Sequence, residues 1–352
     1  MSDKKYNHYV PRFYLTNFSG NKNFIDKCIL SSRKIIRCAP MGSTGGKKYL
    51  YGKDGVVENI FAEMEGRWDS IVKKIILTES IPSSSEDYTE LLLFIILSEN
   101  RTLAVANHNM AFWGEHYRAM ARLLKENGRM DIPDTVINRI GAECEIPNLQ
   151  NLKNAIFLME LCTDLQMSII KNNSPLPFVT SDHPVMKYNQ LFISNKYYSP
   201  YGYGQIGIQI FFPISPNLCL VLFDPITYQL HNYHDNKFIT NDPTIIRSIN
   251  TLTVGYAYQE LYFSSSTSDR TINKILAKRV ADGLSPATGS QRVGNGFLIM
   301  ISDPSYLHRV NIPLFSIFKP FRETNLSQLS APPIRPHAKE VKEKDEGSSN
   351  YS

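Results

Sequence analysis

The 352-residue sequence lacks the features that mark membrane, secreted and fibrous proteins. Its longest uninterrupted apolar run, Leu91 to Leu97, has seven residues, whereas a helix that spans a bilayer needs about 20. The first residues contain no apolar core of a signal peptide. Hydrophobic residues at 42% and charged residues at 20% are near the averages of globular proteins, so composition excludes collagen-like, coiled-coil and wholly disordered chains.

Cysteine is scarce, and its positions do not form a recognisable framework. The five cysteines are odd in number and far apart, and no two of them form a Cys-x-x-Cys pair. This spacing fits reduced thiols better than disulfides or a cysteine zinc site. It therefore predicts a cytoplasmic protein. The cysteines are Cys28, Cys38, Cys144, Cys162 and Cys219.

Positive charge is concentrated at the N-terminus. Residues 1–53 contain eleven lysines and arginines against two aspartates, a net charge of +9, whereas the whole chain carries +5. Such a segment could bind a polyanion, and the alternative is a solvated basic surface. A strand over Arg33 to Cys38 would place Arg33 and Arg37 on one face, which we expect to be exposed and cationic.

Hydrophobic periodicity predicts an α+β fold with an N-terminal β segment, a central helical block and a mixed, β-rich C-terminal half. Helical spacing of apolar residues covers Glu58 to Leu77, and a second helix is predicted from Asp87 to Asn109. Leu152 to Lys171 is predicted to be the last helix of this block. After Pro175 short apolar runs predict strands, among them Leu218 to Phe223.

We expect a single interleaved α+β domain over residues 1–330. From Ala331 the chain is rich in proline, lysine, glutamate and serine and has few large apolar residues. That composition predicts a disordered tail over residues 331–352.

Two boxes of residues resemble a known family. The opening box, Asn7 to Phe18, reads Asn-His-Tyr-Val-Pro-Arg-Phe-Tyr-Leu-Thr-Asn-Phe, and the Ser-Asp-His-Pro box, Ser181 to Pro184, follows an apolar strand. With Arg101 at the end of an apolar helix, they resemble DUF4238, a family of unknown function whose members begin with His-Tyr-x-Pro-x-x-x-Leu-x-x-Phe. The resemblance spans about residues 7 to 265 and implies an architecture without a settled reaction. Where the family often has glutamine near the end of that helix, this chain has Ser98 and Glu99.

His8 and Arg12 lie four positions apart, and Pro11 between them predicts a turn or a helix start. An imidazole beside a cation suits phosphodiester chemistry, with His8 as general acid or base and Arg12 neutralising the developing charge. The alternative is that the opening box only fixes the chain end to the core by hydrogen bonds.

The Ser-Asp-His-Pro box supplies a hydroxyl, a carboxylate and an imidazole. Adjacent residues of a strand point to opposite faces, so Asp182 and His183 cannot both orient toward Ser181 as a hydrolase triad without a sharp turn. We expect Asp182 or His183 to complete a site with His8. The structural alternative is an Asp-capped turn before Pro184.

Glu58 and Glu65 are two helical turns apart and share a face of the predicted helix. Both could bind a metal ion or Arg12, and the alternative is that they are solvated or interact with the helix dipole. The sequence identifies neither a particular metal nor any other cofactor.

Arg101 and His108 have six residues between them on one predicted helix. This spacing resembles the Arg-x4-6-His motif of HEPN ribonucleases, which place an arginine and a histidine near the scissile phosphate of RNA. The alternative is an ion-paired arginine in the helix.

The basic N-terminal segment together with His8, Arg12, Arg101 and His183 predicts a cytosolic nuclease. We expect it to act on RNA by acid-base chemistry, as a toxin or defence effector would. Two alternatives stay open: a non-catalytic module that binds nucleic acid or protein, and an enzyme that acts on a small phosphorylated ligand.

Overall fold

The structure, a computed structural model, confirms the predicted α+β class. It describes residues 6–51, 56–140, 154–194, 201–230, 235–277, 287–293, 296–302, 309–319, 321 and 333–349. Across these residues, no helix combines the length and apolar character that a bilayer span requires. The helices are α1 (Arg12–Ser19), α2 (Val56–Thr78), α3 (Ser85–Asn100), α4 (Leu103–Glu126), α5 (Asp134–Ile137), α6 (Ala155–Glu160), α7 (Pro243–Tyr256), α8 (Asp269–Leu276) and α9 (Pro336–Ser349).

The strands lie before and after the helices of residues 56–160. They are β1 (Tyr6–His8), β2 (Phe24–Ile29), β3 (Lys34–Pro40), β4 (Gly46–Lys48), β5 (Gln166–Asn172), β6 (Thr180–Ser181), β7 (Met186–Tyr188), β8 (Gln209–Ser215), β9 (Leu218–Phe223), β10 (Tyr228–Leu230), β11 (Lys237–Thr240), β12 (Glu260–Phe263), β13 (Ala287–Val293), β14 (Gly296–Ser302) and β15 (Phe315–Ile317). One sheet has the order β11-β5-β9-β8-β7, and a second has the order β3-β2-β12-β6. Further two-stranded pairings join β1 with β4, β10 with β15, and β13 with β14.

The five-stranded sheet is covered on both faces, which explains its apolar strands. Along β9, Leu218, Leu220 and Leu222 belong to the core cluster that contains residues of α1, α2 and α3. The alternate residues, such as Val221, belong to a second cluster with Ile249 of α7. Because side chains of a strand alternate between faces, double burial requires an uninterrupted apolar run, as predicted for this segment.

The N-terminal segment is built into the C-terminal half. β2 pairs with β12, and β12 also pairs with β6. Tyr14 of α1 is fully buried, and its hydroxyl lies 2.6 Å from both Thr180 Oγ1 and the Pro213 carbonyl oxygen. The opening box is therefore fixed directly beside the strand that precedes the Ser-Asp-His-Pro box. The extent of the domain over residues 1–330 stays a prediction.

The prediction of one helix from Asp87 to Asn109 is wrong, because the helix is interrupted at Arg101 and Thr102. α3 ends at Asn100, and Thr102 caps α4 by accepting the Val105 N–H at 3.4 Å. Threonine favours this role because its hydroxyl satisfies a backbone donor that the first helical turn leaves unpaired. We refer to Glu99 through Thr102 as the helix break.

The predicted helix from Leu152 to Lys171 is also wrong in its second half. Residues Gln166–Asn172 form β5, which lies between β11 and β9 in the sheet. A short apolar segment fits a buried strand as well as a helix, and here the neighbouring strands decide between them.

The prediction of a disordered tail is wrong for the described residues 333–349, where α9 forms. Arg335 is fully buried ahead of this helix, and its guanidinium donates to both carboxylate oxygens of Asp164 at 2.8 and 3.0 Å. Ala338 is also fully buried. Composition misses this anchor because one buried arginine with several acceptors can hold a segment that is otherwise polar.

Candidate functional site

Two glycines allow the opening box to approach β4 closely. His8 pairs with Gly46, and the N–H groups of Tyr9 and Val10 donate to the Gly45 carbonyl oxygen at 2.9 and 3.0 Å. Gly45 has a φ of +65°, and a side chain at Gly46 would lie 2.7 Å from the Asn7 carbonyl oxygen. Only glycine fits both positions without strain. They fix the strand that carries His8.

His8 is half-buried at the end of β1, and the ring of Tyr6 stands edge-on to it at 5.2 Å. Its Nε2 is buried and has no hydrogen-bond partner among the described residues. Burial and the positive charges of Arg12 and Arg101 lower the pKa of His8 below its ordinary value, although hydrogen bonds to the backbone partly oppose this. His8 is therefore neutral at pH 7 and can accept a proton at Nε2.

Arg101 is fully buried in the helix break. Its Nη1 donates to Glu65 Oε1 at 3.0 Å, and its guanidinium carbon lies 4.7 Å from the ring centroid of Phe61. Tyr51 donates its hydroxyl to the Arg101 carbonyl oxygen at 3.0 Å, which fixes the backbone.

Two donors of Arg101, Nε and Nη2, have no hydrogen-bond partner within the part of the chain that the structure describes. These atoms form one edge of the planar guanidinium, the Nε–Nη2 edge, and present two parallel N–H groups. Burying such donors without acceptors is costly. The arrangement matches the spacing of two oxygens of a phosphate or carboxylate.

Three exposed cations lie on α1 and β4, the elements next to His8. Arg12 begins α1 after Pro11, while Lys47 and Lys48 lie on β4 beside β1. All three are exposed, and none forms an ion pair with another described residue. The positive charge of these three residues is therefore not neutralised by another described residue.

The predicted cationic face of β3 does not form. Arg37 pairs with Asp26 at 2.7 Å and with Asp269, which neutralises it. Ile35, on the face predicted to be exposed, packs against a core cluster that includes Leu261. Lys27 of β2 is likewise paired, with Glu260. Asp26 of the N-terminal segment, together with Glu260 and Asp269 of the C-terminal half, supplies the negative charge that causes this difference.

Glu58 and Glu65 of α2 both contact nitrogen donors. Glu58 Oε2 accepts the Asn7 side-chain amide at 3.2 Å, and Glu65 accepts Arg101. No group of three or more histidine, cysteine, aspartate or glutamate residues that could hold a metal ion occurs in the described ranges. The structure thus gives no support to the predicted metal site, and Glu65 instead orients Arg101.

Asp182 fixes the loop at residues 258–259 by hydrogen bonds. Its carboxylate is 1% exposed and accepts the backbone N–H groups of Tyr258 and Gln259 at 2.8 and 2.7 Å. Burial raises the pKa of Asp182 to about 7, although these hydrogen bonds oppose the shift. Ser181, and not Asp182, forms the turn before Pro184: its hydroxyl donates to the His183 carbonyl oxygen and accepts the His183 N–H.

His183 joins the Ser-Asp-His-Pro box to the helix break. It is 6% exposed, its Nδ1 lies 2.8 Å from Thr102 Oγ1, and its ring stacks on Tyr256 at 5.7 Å. Burial and the charge of Asp182 raise the pKa of Tyr9 in the opening box. The charge of Arg101 acts on His8, and its chain neighbour Thr102 contacts His183.

The sequence did not predict a buried ion pair that Glu99 forms at the helix break. Glu99 is 5% exposed, receives Lys187 Nζ at 2.9 Å, and accepts the hydroxyl of Tyr203 at 2.9 Å. Burial would raise the pKa of Glu99, but the charges of Lys187 and His183 and these hydrogen bonds lower it below its ordinary value. The only signal was the departure from the family's glutamine near this position, because both partners lie far along the chain.

Arg101 and His108 do not share a helix. Arg101 ends α3 and contacts α2, whereas His108 lies on α4, after the break. The helical spacing on which the HEPN-like motif depends is therefore absent.

The family model described as protein of unknown function (DUF4238) matches residues 6–267. A search of curated proteins and a search of solved structures found no match. The matched segment contains both boxes, the helix break and α2. It therefore contains every residue of the site described above.

Proposed function

This chain belongs to the DUF4238 family, whose function is unknown, and from that premise we propose on the site's geometry that it is a nuclease that cleaves RNA. The proposal assigns proton transfer to His8 and phosphate binding to Arg12 and Arg101. One juxtaposition carries it: a neutral imidazole, whose buried Nε2 has no hydrogen-bond partner among the described residues, lies within the electrostatic range of a buried arginine whose Nε–Nη2 edge is unused.

RNA supplies the nucleophile that such a site needs. The 2′-hydroxyl lies next to each phosphodiester, and Nε2 of His8 accepts its proton as the 2′-oxygen attacks phosphorus. The bond between phosphorus and the 5′-oxygen breaks, the leaving oxygen takes a proton from water, and a 2′,3′-cyclic phosphate forms. Arg12 stabilises the negative charge that develops on the phosphoryl oxygens.

Asp182 and His183 receive a positioning role in this proposal. Their side chains hold the 258–259 loop and Thr102, and both are almost fully buried. His183 supports the site by fixing the helix break beside Arg101 through Thr102, and Asp182 does so by fixing the 258–259 loop.

We place this nuclease in the cytosol, where its activity would make it a toxin or a defence effector. Among the described residues, Cys28, Cys38, Cys162 and Cys219 are free thiols. Expression of an RNA-cleaving protein there should slow growth, and the His8→Gln variant should be harmless.

The test compares purified wild type, His8→Gln and a control, His116→Gln, on a single-stranded RNA and on DNA of the same sequence. His116 is a histidine of α4 that packs beside Phe112 and Trp113. We expect wild type to cleave only RNA, because DNA lacks the 2′-hydroxyl. The His8→Gln variant should lose about 10²- to 10⁴-fold in rate, while the control keeps its rate and all three melt together.

The pH profile supplies a second readout. A base must be deprotonated to act, so the rate should rise with pH and level off below pH 7, since the pKa of His8 is lowered. Equal rates for wild type and His8→Gln would refute the proposal. RNA that binds without being cleaved would favour the non-catalytic binding module.

A further inference from the structure

Resting on the proposed nuclease, we infer that the site acts at RNA ends: the Nε–Nη2 edge of Arg101 binds a terminal phosphomonoester, and the adjacent phosphodiester is cleaved beside His8. This assigns Arg101 to a phosphate that is anchored and not cleaved. His8 and Arg12 then act on the neighbouring phosphodiester, which is the one that is cleaved.

Burial increases from Arg12 through His8 to Arg101. Arg12 is exposed, His8 is half-buried, and Arg101 is 0% exposed. An internal phosphodiester has a nucleotide on each side, so a strand lying across the surface cannot bring its oxygens to a donor at that depth. A terminal phosphate has a single ester bond and can enter ahead of the strand.

The approach to Arg101 is restricted to its edge. The ring centroids of Phe61 and Trp68 lie 4.7 and 6.0 Å from the guanidinium carbon, and Glu65 occupies Nη1. An oxyanion must therefore bind in the guanidinium plane at Nε and Nη2. A phosphomonoester carries a charge of about −1.5 to −2 at pH 7 and three acceptor oxygens, more than a diester can offer.

The remaining nucleotides of the RNA strand would lie along exposed cationic residues. Beyond His8, Arg12, Lys47 and Lys48 are exposed at the surface, and Lys47 and Lys48 pair along β1 with Asn7 and Tyr6. Phosphates that follow the scissile bond would meet these charges in turn. The decreasing burial of these residues thus matches the order of the phosphates along the strand. Arg101 binds the terminal phosphate, His8 and Arg12 act on the scissile diester, and Lys47 and Lys48 contact the phosphates that follow.

The chemistry predicts a particular product pattern. At a 5′-phosphorylated end, the 2′-oxygen of the first nucleotide attacks the next phosphorus and the 5′-oxygen of the second nucleotide leaves. One nucleotide is released with a 2′,3′-cyclic phosphate, and the shortened strand now begins with a 5′-hydroxyl. Because the anchoring phosphate is gone, trimming should stop after one nucleotide.

The experiment uses four forms of one RNA sequence with the full-length protein: a 5′-phosphorylated strand, a 3′-phosphorylated strand, a strand with hydroxyls at both ends, and a closed circle. We expect one phosphorylated form to lose a single nucleotide about 10- to 100-fold faster than the last two are cut, as charged hydrogen bonds predict. The two phosphorylated arms identify which end is bound.

Arg101→Lys provides the matched variant, because lysine keeps the charge without the parallel donors. It should reduce cleavage of the phosphorylated strand to the rate of the hydroxyl-ended strand, while Arg118→Lys on α4 keeps the preference. Cleavage of the circle as fast as the phosphorylated strands would overturn end recognition and leave the nuclease proposal intact. Absence of cleavage in all four forms, with no tighter binding of the phosphorylated ends, would overturn both; the substrate comparison in wild type holds even if Arg101→Lys fails to fold.

Discussion

Thr102 Oγ1 lies 2.8 Å from Nδ1 of His183, although 81 residues separate the two in sequence. The same hydroxyl caps α4 and bonds to the Glu99 carbonyl oxygen. One contact therefore fixes the start of α4 and the backbone next to Arg101. It connects the Ser-Asp-His-Pro box to the residues that we propose bind phosphate.

This contact predicts that His183 stabilises the fold and does not transfer a proton. His183→Ala should lower the melting temperature by several degrees, and the folded protein should still cleave RNA. Thr102→Val should act similarly, and in the double variant the two losses should not add, with a coupling of about 1 kcal/mol. Loss of activity at an unchanged melting temperature, with His116→Gln as the control, would instead make His183 part of the chemistry.

The buried Glu99–Lys187 pair predicts a strongly asymmetric response to substitution. Lys187→Met leaves the buried Glu99 carboxylate without its lysine counter-charge, which should cost about 3–5 kcal/mol of unfolding free energy. Adding Glu99→Gln removes that charge and should restore most of the loss. Urea unfolding of wild type, Lys187→Met and the double variant measures this. A double variant less stable than the single one would show that the pair has no such compensation.

Asp182 predicts a stability that falls as pH rises. Unfolded aspartate ionises near pH 4, whereas burial raises the pKa of Asp182 to about 7 in the folded protein. Between these values the folded state retains a proton that the unfolded state has lost, so this stabilising contribution is full below pH 4 and disappears as pH rises through 7. Asp182→Asn cannot ionise, so the melting temperature of wild type relative to this variant should be higher at pH 5 than at pH 8. A difference that grows toward pH 8 would mean that the carboxylate is already ionised in the folded protein.

Arg335 predicts that the C-terminal segment stabilises the domain. Its guanidinium donates to Asp164 and to the carbonyl oxygens of Leu161, Tyr203 and Gln205, so Arg335→Lys cannot replace its planar set of donors. We expect that variant to melt several degrees lower. Lys339→Ala on the same helix is the control, because its surface pair with Glu343 contributes little. Equal melting temperatures for both variants would show that α9 is dispensable for stability.

The sequence by itself determined the features that depend on short-range pattern. The helical spacing predicted α2, and the apolar run predicted β9. The α+β class followed from the same local signals, and the resemblance of the opening box and the Ser-Asp-His-Pro box implied membership in DUF4238; both are confirmed. These signals are readable because each residue and its decisive neighbours lie within a few positions of each other.

Only the tertiary structure decided the chemistry of the helix break. Arg101 could be read as a helix cation until α2 placed Glu65, 36 residues away, on one side of its guanidinium and left the Nε–Nη2 edge unused. Glu99 acquired its partners from 88 or more positions away, since Lys187 and Tyr203 reach it through the fold. The burial that lowers the pKa of His8, and that sets the depth of Arg101, is a property of the packed core. Such partners have no periodicity along the chain, so no local pattern could have assigned them.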